Sequence, residues 1–330
     1  MEIVAPDGSP LAAAVLSVDR LEDSLAFYRD MIGMDVIHEG RWRGDQYERY
    51  WHLEDGAGAR SALLSASDAV VGRVLLLEFD SPDREPIRAA GVTRAYGLFN
   101  LNFYTADIHG DSERFKAAGF KFWSDPVAHD FTADVGTPIE VVFEGPDSVA
   151  INLVELATRD PNTRIGQMRA YVESHGRTVK GFTPVVTSSH VFEDINKGRE
   201  FYQKVLNMGV LIDDILETPE SNHFLQLAEG SRTHVQFMQG NHMFGKIAMS
   251  QPLNYSCESM IARAVPPNIG YLAQQFLVKD ARQAADACEE LGVKFFTPLT
   301  ELELPGLGRC HCMLVRNPGS GALQEIVQPL

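Results

Sequence analysis

Apolar and polar positions change rhythm several times along this chain, and the changes mark its elements. Ala13 to Val18 reads as a strand, and Leu21 to Ile32 then places Leu21, Leu25, Tyr28 and Ile32 on one helical face. Gly33 ends that helix, because only glycine enters the left-handed region freely. Three strand-like runs follow at Tyr47 to Leu53, Ser61 to Ser65 and Arg73 to Phe79, separated by Gly, Asp and Ser. The order restarts with a strand over Leu98 to Thr105, a helix over Ser112 to Ala118, and strands near Lys121, Ile139 and Ala150. Each unit therefore reads β-α-β-β-β. Arg159 to Thr183, broken by Pro161, Gly166, Gly176 and Gly181, reads as a connector with a helix over Ile165 to Ser174.

The second half restates the first. Phe27 and Tyr28 fall on Phe201 and Tyr202, Gly97 on Gly270, Asp107 on Asp280 and Gly119 on Gly292, all 173 to 174 residues apart. A shared offset across separate landmarks argues for duplication. The expected layout is two domains, 1–158 with modules 12–82 and 97–157, and 183–330 with modules 184–250 and 270–330, joined by 159–182. Each domain would pair its two consecutive modules, an α+β architecture.

Val18 through Met34, with its Ser24, Phe27-Tyr28 and Gly33-Met34, resembles the opening of the glyoxalase, bleomycin-resistance and extradiol-dioxygenase group, the vicinal oxygen chelate superfamily. Gly97 to Phe103 and Asn317 to Val327 are similar to that group's second-module strand and terminal strand. The resemblance implies cup-shaped mixed sheets that hold a small oxygenated substrate, commonly over a divalent metal such as Fe or Mn bound by two His and a carboxylate. The ligand positions it implies fall on Ala13, Asn100 and Asn152 in the first half, and on Thr187, Ala273 and Glu325 in the second. Only Glu325 is a ligand type, so a metal-bearing cup is expected in the second half, with Glu325 and, after a register slip, His190. The ring-cleaving enzymes' tyrosine position falls on Leu314, while His234 lies nearest to their acid/base histidine.

Each candidate has a plainer reading. Glu325, between Leu323 and Ile326, must be paired, hydrogen-bonded or coordinated if buried, so a salt bridge competes with catalysis. His190 shares its parity with Leu16 and reads equally as a core imidazole. His234 and Gln236 alternate with Val235 and Phe237, which places them together on one face, as cup lining or as a polar edge. His311 alternates with Cys310 and Cys312 and reads either as facing the Glu325 cavity or as a hydrogen-bonded sheet residue. Asn100, Asn102 and Asn152 can bind a substrate oxygen without metal or satisfy buried backbone. Two functions follow: an isomerase, lyase or dioxygenase centred on Glu325 and His234 with substrate contacts from His311, Gln236, Asn100 and Asn152, or a metal-free binding protein of the bleomycin-resistance type.

Charge narrows the partners. Lys+Arg of 29 against Asp+Glu of 45 leaves −16, which repels nucleic acid and anionic membranes. No run approaches the ~20 apolar residues of a membrane span, and the first residues lack a basic leader, so the expected compartment is the cytoplasm. Four cysteines are too few for a disulfide scaffold or a visible zinc site. A small molecule is the expected partner, with homodimerisation left open.

Overall fold

A computed structural model describes residues 3–66, 70–129 and 133–330. The first module comprises β1 (Leu11–Ser17), a helix that starts as α1 (Leu21–Leu25) and widens into a π-turn over Ala26–Met31, β2 (Asp35–Trp42), α2 (Asp45–Trp51), β3 (Ala59–Ser65) and β4 (Arg73–Phe79). The second holds β5 (Ala95–Thr105), α3 (Ile108–Ala117), the short β6 (Lys121–Phe122) and β7 (Val127–Ala128), β8 (Pro138–Glu144) and β9 (Ala150–Leu156). After the connector helix α4 (Arg164–His175), the third module runs β10 (Thr187–Val191), α5 (Ile195–Leu206), β11 (Gly209–Leu216), α6 (Pro219–Phe224), β12 (Thr233–Gln239) and β13 (Lys246–Pro252). A two-residue β14 (Glu258–Ser259) precedes the fourth, β15 (Gly270–Leu277), α7 (Ala281–Glu290), β16 (Lys294–Leu304), β17 (Gly308–Arg316) and β18 (Leu323–Pro329).

The β-α-β-β-β rhythm is present four times, with one misreading. Tyr47 to Leu53, expected as a strand, belongs to α2, and the strand of that position is the preceding β2. Asp35–Trp42 is an edge strand exposed over most of its length, so it lacks the apolar alternation by which strands are recognised.

The modules pair differently from the sequence expectation. One mixed sheet runs β16-β17-β18-β15-β1-β4-β3-β2, which joins the first module to the fourth. The other runs β11-β12-β13-β10-β5-β9-β8-β6, which joins the third to the second. The boundary drawn between 158 and 183 therefore does not separate two sheets. Antiparallel β1–β15 and β10–β5 ladders carry the exchange. Consecutive modules do pack together, but through their helices: Phe27 lies 5.6 Å from Phe115 of α3, and α5 packs against α7.

The result is two cups set back to back, with the largest apolar cluster and the helices between their outer faces. Each strand sends alternate residues to its cup and to this shared core. Ala14 and Leu16 enter the core while Ala13 and Val15 face the first cup. Where the sheets meet, a pair of glycines makes the crossing. Gly72 (φ +69°) donates to the Leu11 carbonyl and accepts from Val185, and Gly245 (φ +71°) accepts from Leu11. A Cβ on Gly72 would sit 2.4 Å from the Val185 oxygen, so no other residue fits.

Because both sheets draw strands from both halves, residues 1–158 alone should not form a stable monomer. Circular dichroism and sedimentation of that fragment check this, and a monomer with a cooperative melt would contradict the topology.

Candidate functional site

The first cup, built by modules one and four, is filled. Trp42, Tyr50 and Trp51 of β2 and α2 pack into it with Leu63, Leu75 and Leu314. Glu325 of β18 stands at its floor with no solvent exposure. Its neighbours in register are Gln275 on β15 and Leu314 on β17, and Gln275 in turn pairs with Ala13 on β1. Tyr50 Oη donates to Oε1 at 2.9 Å, and Gln275 Nε2 donates to Oε2 at 2.8 Å. Burial raises the Glu325 carboxyl above its ordinary range, against the lowering influence of these two hydrogen bonds. Burial also lifts Cys310 to about 11 and Cys312 higher still, both further raised by Glu325. Among the described residues the salt-bridge reading of Glu325 finds no basic partner, since its contacts are a phenol and an amide.

The histidines proposed beside Glu325 lie elsewhere. His190, on β10 of the other sheet, faces the shared core, where Nε2 meets Ser320 Oγ at 2.6 Å and Nδ1 meets Tyr202 Oη at 3.3 Å. Desolvation lowers it to about 3, so it is neutral at physiological pH. His311 points to the face opposite Glu325, because Cys310 and Cys312 occupy the cup side of β17; it lies half exposed, 3.9 Å from Glu301. His234 and Gln236 do share a face, but it is the helix-bearing one, with Met249 in register. Both bond to Asp213 of β11, at 2.6 Å and 2.8 Å. That hydrogen bond from His234 is the main cause of a lowered Asp213 carboxyl.

The implied metal does not fit these residues. Both Glu325 oxygens are committed to Tyr50 and Gln275. Among the described residues no three His, Cys, Asp or Glu side chains gather into a cation site.

The second cup, built by modules two and three, has the opposite character. Across its floor one register row runs Lys246, Thr187, Asn102 and Asn152, the row that reads Arg73, Ala13, Gln275 and Glu325 in the first cup. Asn100 stands one step along β5, beside Ser189. Asn100, Asn102 and Asn152 are 4%, 9% and 3% exposed, and the Oδ1 of each has no hydrogen-bond partner. The Asn152 amide is oriented by its Nδ2, which donates to Glu140 at 2.7 Å. Lys246 is buried against the Met243 carbonyl, and desolvation lowers its ammonium to about 7. At the wall of the cup, Arg94 donates to Ser250 Oγ at 2.7 Å and lies over the Tyr255 ring, while its buried Nε has no partner. Two open surface troughs, one along Asp45 to Gly56 and one along Asp194 to Lys204, lie outside both cups and hold none of these groups.

Asn100 and Asn152 thus share a cup with Asn102, while Glu325, His190, His234 and His311 are not brought together. Gln275, Arg94 and Lys246 escaped the sequence reading. Lys246 carried one signal, its place 173 residues after Arg73.

Residues 11–153 match the sequence profile described as the Glyoxalase/Bleomycin resistance protein/Dioxygenase superfamily. The chain is also similar to glyoxalase I from Zea mays, at 16% identity over 97% of this chain and 92% of that one, with a TM-score of 0.60. A putative dioxygenase from Bacillus subtilis gives 10% identity, 98% and 86% coverage, and a TM-score of 0.55. At such identities the likeness is one of fold. No curated protein matches the chain.

Two pH responses follow from the buried groups. The Glu325 carboxyl, raised in the fold, stabilises the protein fully below its ordinary value of 4.5, and that contribution is lost as pH rises through the folded value. Glu325→Gln should remove this decline and be at least as stable as the parent at neutral pH in urea melts. A loss of more than ~2 kcal/mol there would show that the carboxylate itself is needed. Lys246, lowered from 10.5 to about 7, acts in the other direction, so stability rises between those values. Lys246→Met should flatten that rise.

Proposed function

We propose that this chain of the glyoxalase, bleomycin-resistance and dioxygenase superfamily binds a small oxygenated molecule without metal, in the cup that its second and third modules form. The observation that carries the reading is the set of three buried carboxamide oxygens without partners on one cup face. Each such group costs ~1–3 kcal/mol when left unsatisfied in the interior, and native structures leave few of them. Three gathered on adjacent positions of β5 and β9 are supported by function more readily than by folding. A ligand that donates to them recovers that free energy on binding.

The enzymatic alternative rests on a different observation. Lys246, in the same register row, is a buried amine near 7, half of which is neutral at physiological pH and able to accept a proton. Its nitrogen is turned to the Met243 carbonyl and not to the amides, so binding is the reading that the geometry favours. Glu325 and its phenol partner have the chemistry of an acid, but Trp42, Tyr50 and Trp51 fill the cup in which they stand.

The test exploits the sign of a stability change. Replacing Asn102 by Leu should raise the melting temperature of the ligand-free protein, because it removes an amide whose buried oxygen has no partner, whereas Asn152→Leu also removes the hydrogen bond to Glu140 and should not raise it. The same substitutions should abolish the thermal shift produced by whichever oxygenated metabolite stabilises the parent in a screen, and chelators should leave that shift unchanged. If both variants melt lower than the parent and keep the shift, the amides are structural and the cup is not the site.

A further inference from the structure

The two ends of the second cup present opposite chemistry, and the contrast defines a ligand. At one end three carboxamide oxygens are buried without partners. Asn152 is held with its Nδ2 on Glu140, so its Oδ1 is the free atom. Asn102 lies beside it in register, and Asn100 follows on the same face of β5. The Glu140 carboxylate adds negative charge at this end, close enough to raise the Tyr104 phenol after burial has done so. Three unpaired acceptor oxygens beside a carboxylate favour a cationic or donor-rich group.

At the other end stands Arg94. Most arginines here have acidic partners: Arg88 meets Glu144, Arg84 meets Asp19 and Arg60 meets Glu22 and Glu78. Arg94 has no carboxylate within ion-pair distance among the described residues; its contacts are Ser250 Oγ, the Tyr255 ring and the Cys257 thiol, all uncharged partners. Ser250 lies on the cup face of β13, four residues beyond Lys246. A guanidinium with a buried, unpaired Nε and a hydroxyl beside it is a fork waiting for a planar anion. Two strand spacings and two residues separate Ser250 from Asn100, a span on the order of 10–12 Å. Side chains leaning inward shorten it to the length of a small aromatic molecule.

Resting on the binding function proposed above, we infer that the ligand is amphoteric: a carboxylic acid bound by Arg94, with an ammonium group at its far end received by the amide oxygens of Asn100, Asn102 and Asn152. Lys246 does not oppose this, since its nitrogen faces the Met243 carbonyl and burial removes half of its charge near neutral pH.

Three probes with a common ring isolate the two ends: 4-(aminomethyl)benzoate, benzylamine and 4-methylbenzoate, titrated calorimetrically into the full-length protein. The first should bind at least about tenfold more tightly than either single-ended compound, or ~1.4 kcal/mol. Arg94→Gln should reduce it to the level of benzylamine, Arg94→Lys should retain part of the gain, and Asn102→Leu should reduce it to the level of 4-methylbenzoate. Melting curves establish that the variants fold, and Asn102→Thr replaces Asn102→Leu if that one does not. If 4-methylbenzoate binds as tightly as the amphoteric probe and responds to Arg94→Gln but not to Asn102→Leu, the ligand class is wrong while the cup remains the site. If benzylamine equals the amphoteric probe and only Asn102→Leu weakens it, the anion end is wrong. Absence of saturable binding for all three, or binding that no cup substitution alters, overturns this inference and the binding function together.

Discussion

β10 lies between β5 and β13, and its side chains alternate between two destinations: Thr187 and Ser189 turn into a cup, while Ser188 and His190 turn into the space between the sheets. The same two-residue period acts on β15, where Gln275 reaches Glu325 in the first cup and Gln274 reaches Ser188 on the other side. Sorting by parity only works because the modules are exchanged. With β1 on β15 and β10 on β5, the outer faces of the two sheets are forced to confront one another across the helices. A polar chain then runs through that interior from Ser320 through His190, Tyr202 and Gln274 to Ser188 and Tyr271, and it finds a partner at every step.

Equivalent rows in the two cups have diverged in opposite ways. In the first, Ala13, Gln275 and Glu325 form a short hydrogen-bonded set that Tyr50 closes from above. In the second, Thr187, Asn102 and Asn152 occupy those positions. The covering helices explain part of this. α2 brings Tyr50 and Trp51 into the first cup, whereas the related α6 brings Phe224, whose ring meets His129 near β7. One carboxyl is thereby buried and capped by a phenol, and three amide oxygens are buried without partners.

Module count, element order and the duplicated halves were legible because they depend on local periodicity and on a repeat that any two segments reveal. Pairing was not legible, since each of four similar modules offers β1-type and β15-type strands with the same apolar pattern, and nothing local chooses between a consecutive and an exchanged partner. That single choice undid much of the site reading. His190 and Glu325 were joined as halves of one cup, but they belong to different sheets and opposite faces. His311 failed by one residue of parity, since Cys310 and Cys312 hold the cup side. Glu325 was rightly seen as a buried carboxyl needing compensation, yet its main partner, Tyr50, lies 275 residues away on an element read as a strand. Asn100 and Asn152 were visible because a polar residue in an apolar strand is a local anomaly. Arg94 was not, because an arginine in a loop looks like surface until its missing partner is seen.

The contrast between the two faces of the same strands bears on where the free energy of this protein resides. On the outer face of β10 and β15, hydroxyl, imidazole and amide groups satisfy one another, so that side is rigid and stable without help. On the cup face of β5 and β9, three buried amide oxygens are left without partners. Three fixed acceptors are costly in the free protein for the same reason that they are effective toward a donor: the cost of ordering them is already met by folding, and binding need not meet it again.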